Sequence, residues 1–141
     1  MSKTNHTEKR SVETEIRVRY AETDRMGLLH HANYLVYFEQ GRTELLRSLG
    51  VTYKDLEDQG FLLVLSRAEV RYRSPAHYDD VLTLRTTVTR TTVVRIEHKY
   101  ELMRGGTLIA EGETTLASVD REGRIQALPE WLQQTKPPIH S

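Results

Sequence analysis

From Val12 to Tyr20 the chain alternates, with Ile16, Val18 and Tyr20 on one face and mostly charged or polar residues on the other. That is the period-two pattern of a half-buried strand. The period then lengthens. Leu35, Phe38, Leu45 and Leu49 form one helical stripe, with Asn33 placed to cap its start and Gly50 to end it in a left-handed conformation. These start and stop signals predict one helix of about seventeen residues. Gly41 lies inside it, where glycine costs about 1 kcal/mol against alanine, so something is expected to pack closely there. A sheet wrapped around the helix would meet that need.

After a polar connection come four more strand-like stretches, Leu62–Arg73, Val81–Thr92, Val93–Arg104 and Thr107–Asp120, rich in threonine and valine and again alternating. Gly105-Gly106 is a two-residue hairpin signal between the last two. One strand, one long helix and then a run of strands is an α+β pattern with the helix against one sheet face; a βαβα repeat is absent. The polar start and the end with Pro137 and Pro138 read as flexible termini. The expected organisation is a tail over 1–11, one domain over 12–132 and a tail over 133–141.

Composition narrows the setting. A chain of 141 residues with 38% apolar content is one domain with a single core. Twenty basic residues balance twenty acidic ones, so no global field draws the protein to nucleic acid or an anionic membrane. Any anionic ligand must be caught locally. The absence of cysteine excludes a disulfide framework, a thiolate metal site and a cysteine nucleophile. The first ten residues lack an apolar h-region, and no apolar run approaches the ~20 residues of a membrane span. A soluble, cytoplasmic protein is expected.

The densest chemistry lies in the run from Tyr20 to Tyr34, YAETDRMGLLHHANY. Asp24 precedes Gly27, which permits a tight turn, and the chain then feeds a helix N-terminus whose orphan amides around His31 to Tyr34 can stabilise a developing oxyanion. A carboxylate there can act as a nucleophile or as a base that activates water. Its other reading is a turn cap. His30 and His31 are adjacent, but without cysteine or an i,i+4 histidine pair they do not make a metal site. Tyr34 is expected to pack its ring beneath the site with its hydroxyl bonded. Glu39 and Arg42, three apart on the helix, read as an ion pair. No Gly-x-Ser-x-Gly elbow, phosphate loop or dinucleotide fingerprint occurs.

The spacing Tyr20-x-x-Thr23-Asp24-x-x-Gly27-x-x-x-His31-x-x-Tyr34, with Phe38-Glu39 and Arg42 on the helix and Tyr78-Asp79-Asp80 before a strand, resembles the hotdog-fold acyl-CoA thioesterases. The nearest branch is the 4-hydroxybenzoyl-CoA thioesterase type, which includes the bacterial short-chain acyl-CoA thioesterases. The resemblance runs from about Val12 to Asp120. It implies a long helix wrapped by a curved antiparallel sheet of about five strands, paired in a homo-oligomer, dimer or tetramer, with sites at the subunit interface. It also implies Asp24 as base or nucleophile, His31 at the position whose amide faces the carbonyl, Gly27 and Tyr34 as positioning residues, and Arg90 meeting coenzyme A phosphates. Glu39 is the alternative base, as in a branch that places its carboxylate on the helix. His30 departs from the aromatic residue many relatives carry. The substrate implied is a short-chain or aromatic acyl-CoA, with water as co-substrate and no metal or redox cofactor. The alternatives are a non-catalytic acyl-CoA binding or sensing module and a thioesterase acting on acyl-carrier protein.

Overall fold

A computed structural model describes residues 10–133. Strand β1 (Ser11–Arg17) leads through a 3₁₀ turn (Tyr20–Glu22) to helix α1 (Asn33–Ser48) and short helix α2 (Tyr53–Asp58). Strands β2 (Leu62–Tyr72), β3 (Val81–Thr91), β4 (Arg95–Arg104) and β5 (Thr107–Val119) follow, before a last 3₁₀ turn (Glu130–Gln133). All pairings are antiparallel and the strand order is β1-β3-β4-β5-β2. The expected five-stranded α+β hotdog architecture is what forms, with α1 packed on β1, β3 and β4.

The core is built where α1 meets the sheet. Tyr34, Tyr37, Phe38, Gly41, Leu45 and Leu46 are its buried residues, and the Phe38 and Tyr100 rings stack with centroids 4.2 Å apart. Gly41 answers the expectation of close packing, since a Cβ there would collide with Thr86 Oγ1 and come within 2.7 Å of Leu84 Cδ2. Gly50 has the left-handed φ of 88° expected after the helix. A second apolar cluster joins Leu45, Leu46 and Leu56 to Val88, Ile96, Leu128 and Leu132 at the far end.

Several local expectations are corrected. Tyr20 is 77% exposed, because β1 ends at Arg17 and the chain turns, burying Glu22 instead. Leu35 is exposed and Leu49 only half-buried, since tyrosines fill much of the inward stripe. Asn33 is the first helical residue rather than its cap; Ala32 holds the N-cap position and offers no side-chain acceptor. Val93 and Val94 belong to a turn closed by the 2.9 Å bond from Thr92 N–H to Arg95 O, so β4 starts at Arg95. The polar connection contains α2, opened by a reciprocal cap in which Asp55 N–H donates to Thr52 Oγ1 and Thr52 N–H to Asp55 Oδ2.

The tail expectations for 1–9 and 134–141 lie outside the described residues. Within them, Ser11 already pairs with Thr87 in the sheet, and Gln133 Nε2 donates to Leu128 O at 2.8 Å. No helix among the described residues is long and apolar enough to cross a membrane. The sheet has two edges, β1 and β2, and β2 leaves Val64, Leu65 and Tyr72 exposed.

Candidate active site

The segment from Arg19 to Asn33 is organised around Glu22, which sequence reasoning passed over. Its carboxylate accepts bonds from Tyr37 Oη (2.7 Å), Arg19 N (2.9 Å) and the Arg19 guanidinium (3.0 and 3.2 Å). Burial pushes its pKa up, but the bonds from Tyr37 and Arg19 outweigh that and hold it below the ordinary glutamate value. The Glu22 backbone carbonyl then accepts from His30 N and Asn33 Nδ2, each at 2.9 Å. One buried acid thus ties the loop to the start of α1.

Between these anchors the chain makes a small hairpin, with Thr23 bridged to Leu29. Asp24 N–H donates to Leu28 O at 2.8 Å and Gly27 N–H to Asp24 O at 3.0 Å, with Gly27 at φ 78°. That backbone is open to glycine at little cost. Asp24 Oδ1 accepts from Met26 N (2.8 Å) and Leu28 N (3.1 Å). Oδ2 has no hydrogen bond among the described residues. Asp24 thus caps the turn through one oxygen of an exposed carboxylate and leaves the other without a hydrogen bond among the described residues.

The helix start presents a complementary arrangement. Ala32 N–H is taken by His30 Nδ1 at 3.2 Å and Asn33 N–H by His30 O at 3.0 Å. The His31 N–H has no acceptor among the described residues. Tyr72 Oη donates to His31 O at 3.1 Å, and the His30 and His31 rings stack at 4.2 Å. Tyr34 is buried with its ring edge-on to Tyr72 at 4.9 Å. Burial first, and Tyr72 second, raise its pKa. Its hydroxyl bonds to nothing among the described residues, contrary to expectation.

An open cleft of about 360 Å³ brings Asp24, His31 and Tyr34 together and is lined as well by Leu28, Tyr72 and Arg73. Gly27 serves it through the backbone of the Asp24 turn. Tyr72 and Arg73 were not foreseen: they come from the end of β2, and Arg73 is braced by Glu111 Oε2 at 2.7 and 2.9 Å. Glu39 is elsewhere, exposed on α1 beside a groove of about 520 Å³ that it shares with Glu13 and Glu15. It does not pair with Arg42, whose Nη1 reaches Tyr100 Oη at 3.4 Å. Arg90 does not line the cleft either; it is exposed near the end of β3, 3.8 Å from Glu97 Oε2. Among the described residues no three His, Asp or Glu side chains are arranged to hold a metal ion.

A long helix packed on a five-stranded antiparallel sheet is the hotdog architecture. The chain belongs to the thioesterase-like superfamily, whose model matches residues 18–135. It is similar to YneP of Bacillus subtilis, provisionally named an acyl-CoA thioesterase, with 37% identity over 123 residues, 83% of this chain and 89% of that protein. It is similar to the acyl-CoA thioesterase YbgC of Haemophilus influenzae, with 35% identity over 106 residues, 74% of this chain and 78% of that one. Among solved structures, the DHNA-CoA thioesterase of Staphylococcus aureus superposes with a TM-score of 0.83 at 31% identity, covering 87% of each chain.

Proposed function

We propose that the protein hydrolyses the thioester of a short-chain or aromatic acyl-CoA to the free acid and coenzyme A, with Asp24 as the reacting carboxylate. The observation that carries this reading is the division of labour at Asp24: Oδ1 is held by two turn amides while Oδ2 has no partner among the described residues, in a cleft shared with His31. The acyl class follows the relatives, two of which are named for acyl-CoA and one for DHNA-CoA.

The thioester carbonyl oxygen sits against the free His31 amide at the positive end of α1, where developing negative charge is stabilised. Asp24 either accepts a proton from the attacking water or attacks the carbonyl carbon itself, giving an anhydride that water then opens. In both routes a C–O bond forms and the C–S bond breaks, and the electron pair leaves on sulfur. Coenzyme A thiolate, with a thiol pKa of roughly 8.5 like that of cysteine, leaves with little acid assistance. Tyr34 shapes the cleft floor and Gly27 the turn. Glu39 remains the alternative base. No metal or redox cofactor takes part.

Arg90 binds coenzyme A phosphates in this reading. It does not line the Asp24 cleft of its own chain, and in this reading the working form is a homo-oligomer, a dimer or tetramer, in which a second protomer's Arg90 serves that cleft. The domain spans 12–132 and acts in the cytoplasm.

The test is thiol release from acetyl-, short-chain, long-chain and aromatic acyl-CoA, comparing wild type with Asp24→Asn. Loss of at least about 100-fold in kcat with fold and oligomer unchanged is expected, the scale of removing a catalytic proton acceptor. Binding of acyl-CoA without hydrolysis by the wild type would make this a sensing module, and turnover of acyl-carrier protein alone would move the carrier. An active Asp24→Asn with an inactive Glu39→Gln would move the base to α1.

A further inference from the structure

We propose that Tyr72 is a positioning residue for the hydrolysis assigned above, tying the His31 carbonyl to β2 so that the two peptide planes meeting at His31 keep its N–H, which has no acceptor among the described residues, aimed into the cleft; the proposal rests on that reading of the site. Each peptide unit is a rigid plane, so the His31 N–H lies in one plane with His30 O, and the two soft dihedrals of His31 join that plane to the one carrying its own carbonyl; fixing both planes limits the swing of the N–H. Two planes meet at His31. The preceding plane is held by the Asn33 N–H bond to His30 O at 3.0 Å. The following plane is held at its amide by His30 Nδ1 (3.2 Å from Ala32 N) and at its carbonyl by Tyr72 Oη (3.1 Å from His31 O).

Of these three anchors, two lie within the helix start itself and move with it. Tyr72 alone comes from the sheet. It is the last residue of β2, in register with Ala110 of β5, and its ring stands edge-on to Tyr34, 4.9 Å away and 89° inclined. The hydroxyl thus ties the His31 backbone to the strand that supplies the opposite cleft wall through Tyr72 and Arg73. An oxyanion donor works only within narrow limits of distance and angle, and its value lies in being aimed before charge develops. Without the hydroxyl, the helix start keeps its local bonds and its tie to Glu22, and loses the one bond that fixes the His31 carbonyl to β2. Ground-state binding, which uses the rest of the cleft, is left intact.

Tyr72→Phe keeps the ring against Tyr34 and removes only the hydroxyl. The expected result is a kcat about 10-fold below wild type, a KM within 2-fold, and a melting temperature within a few degrees, as loss of one half-exposed hydrogen bond allows. Affinity for an acyl-CoA ketone analogue, with CH₂ in place of the thioester sulfur, stays within 2-fold. A dithioester substrate, whose sulfur accepts hydrogen bonds weakly, separates aim from packing: replacing C=O by C=S slows the wild type more than it slows Tyr72→Phe. An undiminished kcat in Tyr72→Phe overturns the proposal, as does a loss that appears equally in KM and analogue affinity, which would make Tyr72 a substrate contact. A wild type that hydrolyses nothing removes the activity and this role together, whereas an active wild type with an active Tyr72→Phe removes the role alone.

Discussion

The Tyr37 hydroxyl donates a 2.7 Å hydrogen bond to Glu22 Oε1, joining the first turns of α1 to the loop that carries Asp24. Both residues are buried. Burial, and then Glu22 itself, raise the Tyr37 pKa, so the phenol stays a donor at any working pH. The bond matters beyond its own energy, because the Glu22 backbone carbonyl carries the His30 amide and the Asn33 side chain.

Tyr37→Phe leaves a buried carboxylate one donor short, which costs about 1–3 kcal/mol. Urea unfolding at neutral pH measures it. The pH dependence has a definite sign: Glu22 has a lowered pKa in the fold, so its contribution is full above the unfolded value and is lost as pH falls through the folded one. Without Tyr37 Oη the folded pKa rises, and acid unfolding of the variant begins at a higher pH than in the wild type.

Gly41 and Gly27 are glycines for different reasons, and alanine tells them apart. At Gly41 a Cβ strikes Thr86 Oγ1 and Leu84, an overpacking cost of about 1–3 kcal/mol against which the gain in helix propensity is at most about 1 kcal/mol. Gly41→Ala therefore lowers the urea midpoint while kcat per folded molecule holds. At Gly27 nothing lies within 4 Å of the new Cβ, but φ is +78°. Gly27→Ala costs about 1–2 kcal/mol of backbone strain, and its larger effect is on kcat, because the turn that aims Asp24 relaxes.

The role proposed for Arg90 separates by substrate. Arg90→Glu raises KM for acyl-CoA by about 3- to 10-fold, the range of one charge-assisted phosphate contact, and leaves kcat near the wild-type value. On the matching acyl-N-acetylcysteamine thioester, which has no phosphates, the variant and the wild type perform alike. Equal effects on both substrates would place Arg90 in folding or assembly instead.

What was legible in the sequence follows from where each signal resides. The five strands and α1 were readable because β-branched alternation and a helical stripe are local patterns, and Gly41 was informative because a costly residue in a helix needs a neighbour to justify it. Tyr20 misled for the same local reason: period two continues through it to Glu22, and only the fold shows the tyrosine turned out and the acid turned in. The six residues of α2 contain the single buried apolar side chain Leu56, too few to show a period. Asp24, Gly27, His31 and Tyr34 were found together because they share one segment. Tyr72 meets His31 across 41 residues, a proximity that only the folded sheet creates. Arg90 was placed by resemblance, which names a position without saying which protomer's cleft it serves.

His98 makes stability depend on pH through a group far from the chemistry. It faces the interior from β4, flanked by Val88 of β3 and Thr114 of β5. It is 3% exposed, and its Nδ1 has no hydrogen-bond partner among the described residues. Burial, and then the positive charge of Arg42 from α1, push its pKa down to about 3. An unfolded histidine titrates near 6.5. Between those values the unfolded chain binds more protons than the folded one, so stability rises with pH through that window and is full above it. The slope reaches about 1.4 kcal/mol per pH unit, so lowering the pH from 7 to 5 costs about 2 kcal/mol from this residue. Glu22 acts only at lower pH, near and below the ordinary carboxylate range, so between pH 7 and 5 the slope comes from His98 rather than from Glu22. Urea midpoints at pH 7.5, 6 and 5 should fall steadily in the wild type and hold nearly level in His98→Leu, whose apolar side chain has nothing to protonate. A wild-type profile flat from pH 7 to 5 would mean that His98 takes up its proton inside the fold, against both its burial and the facing guanidinium.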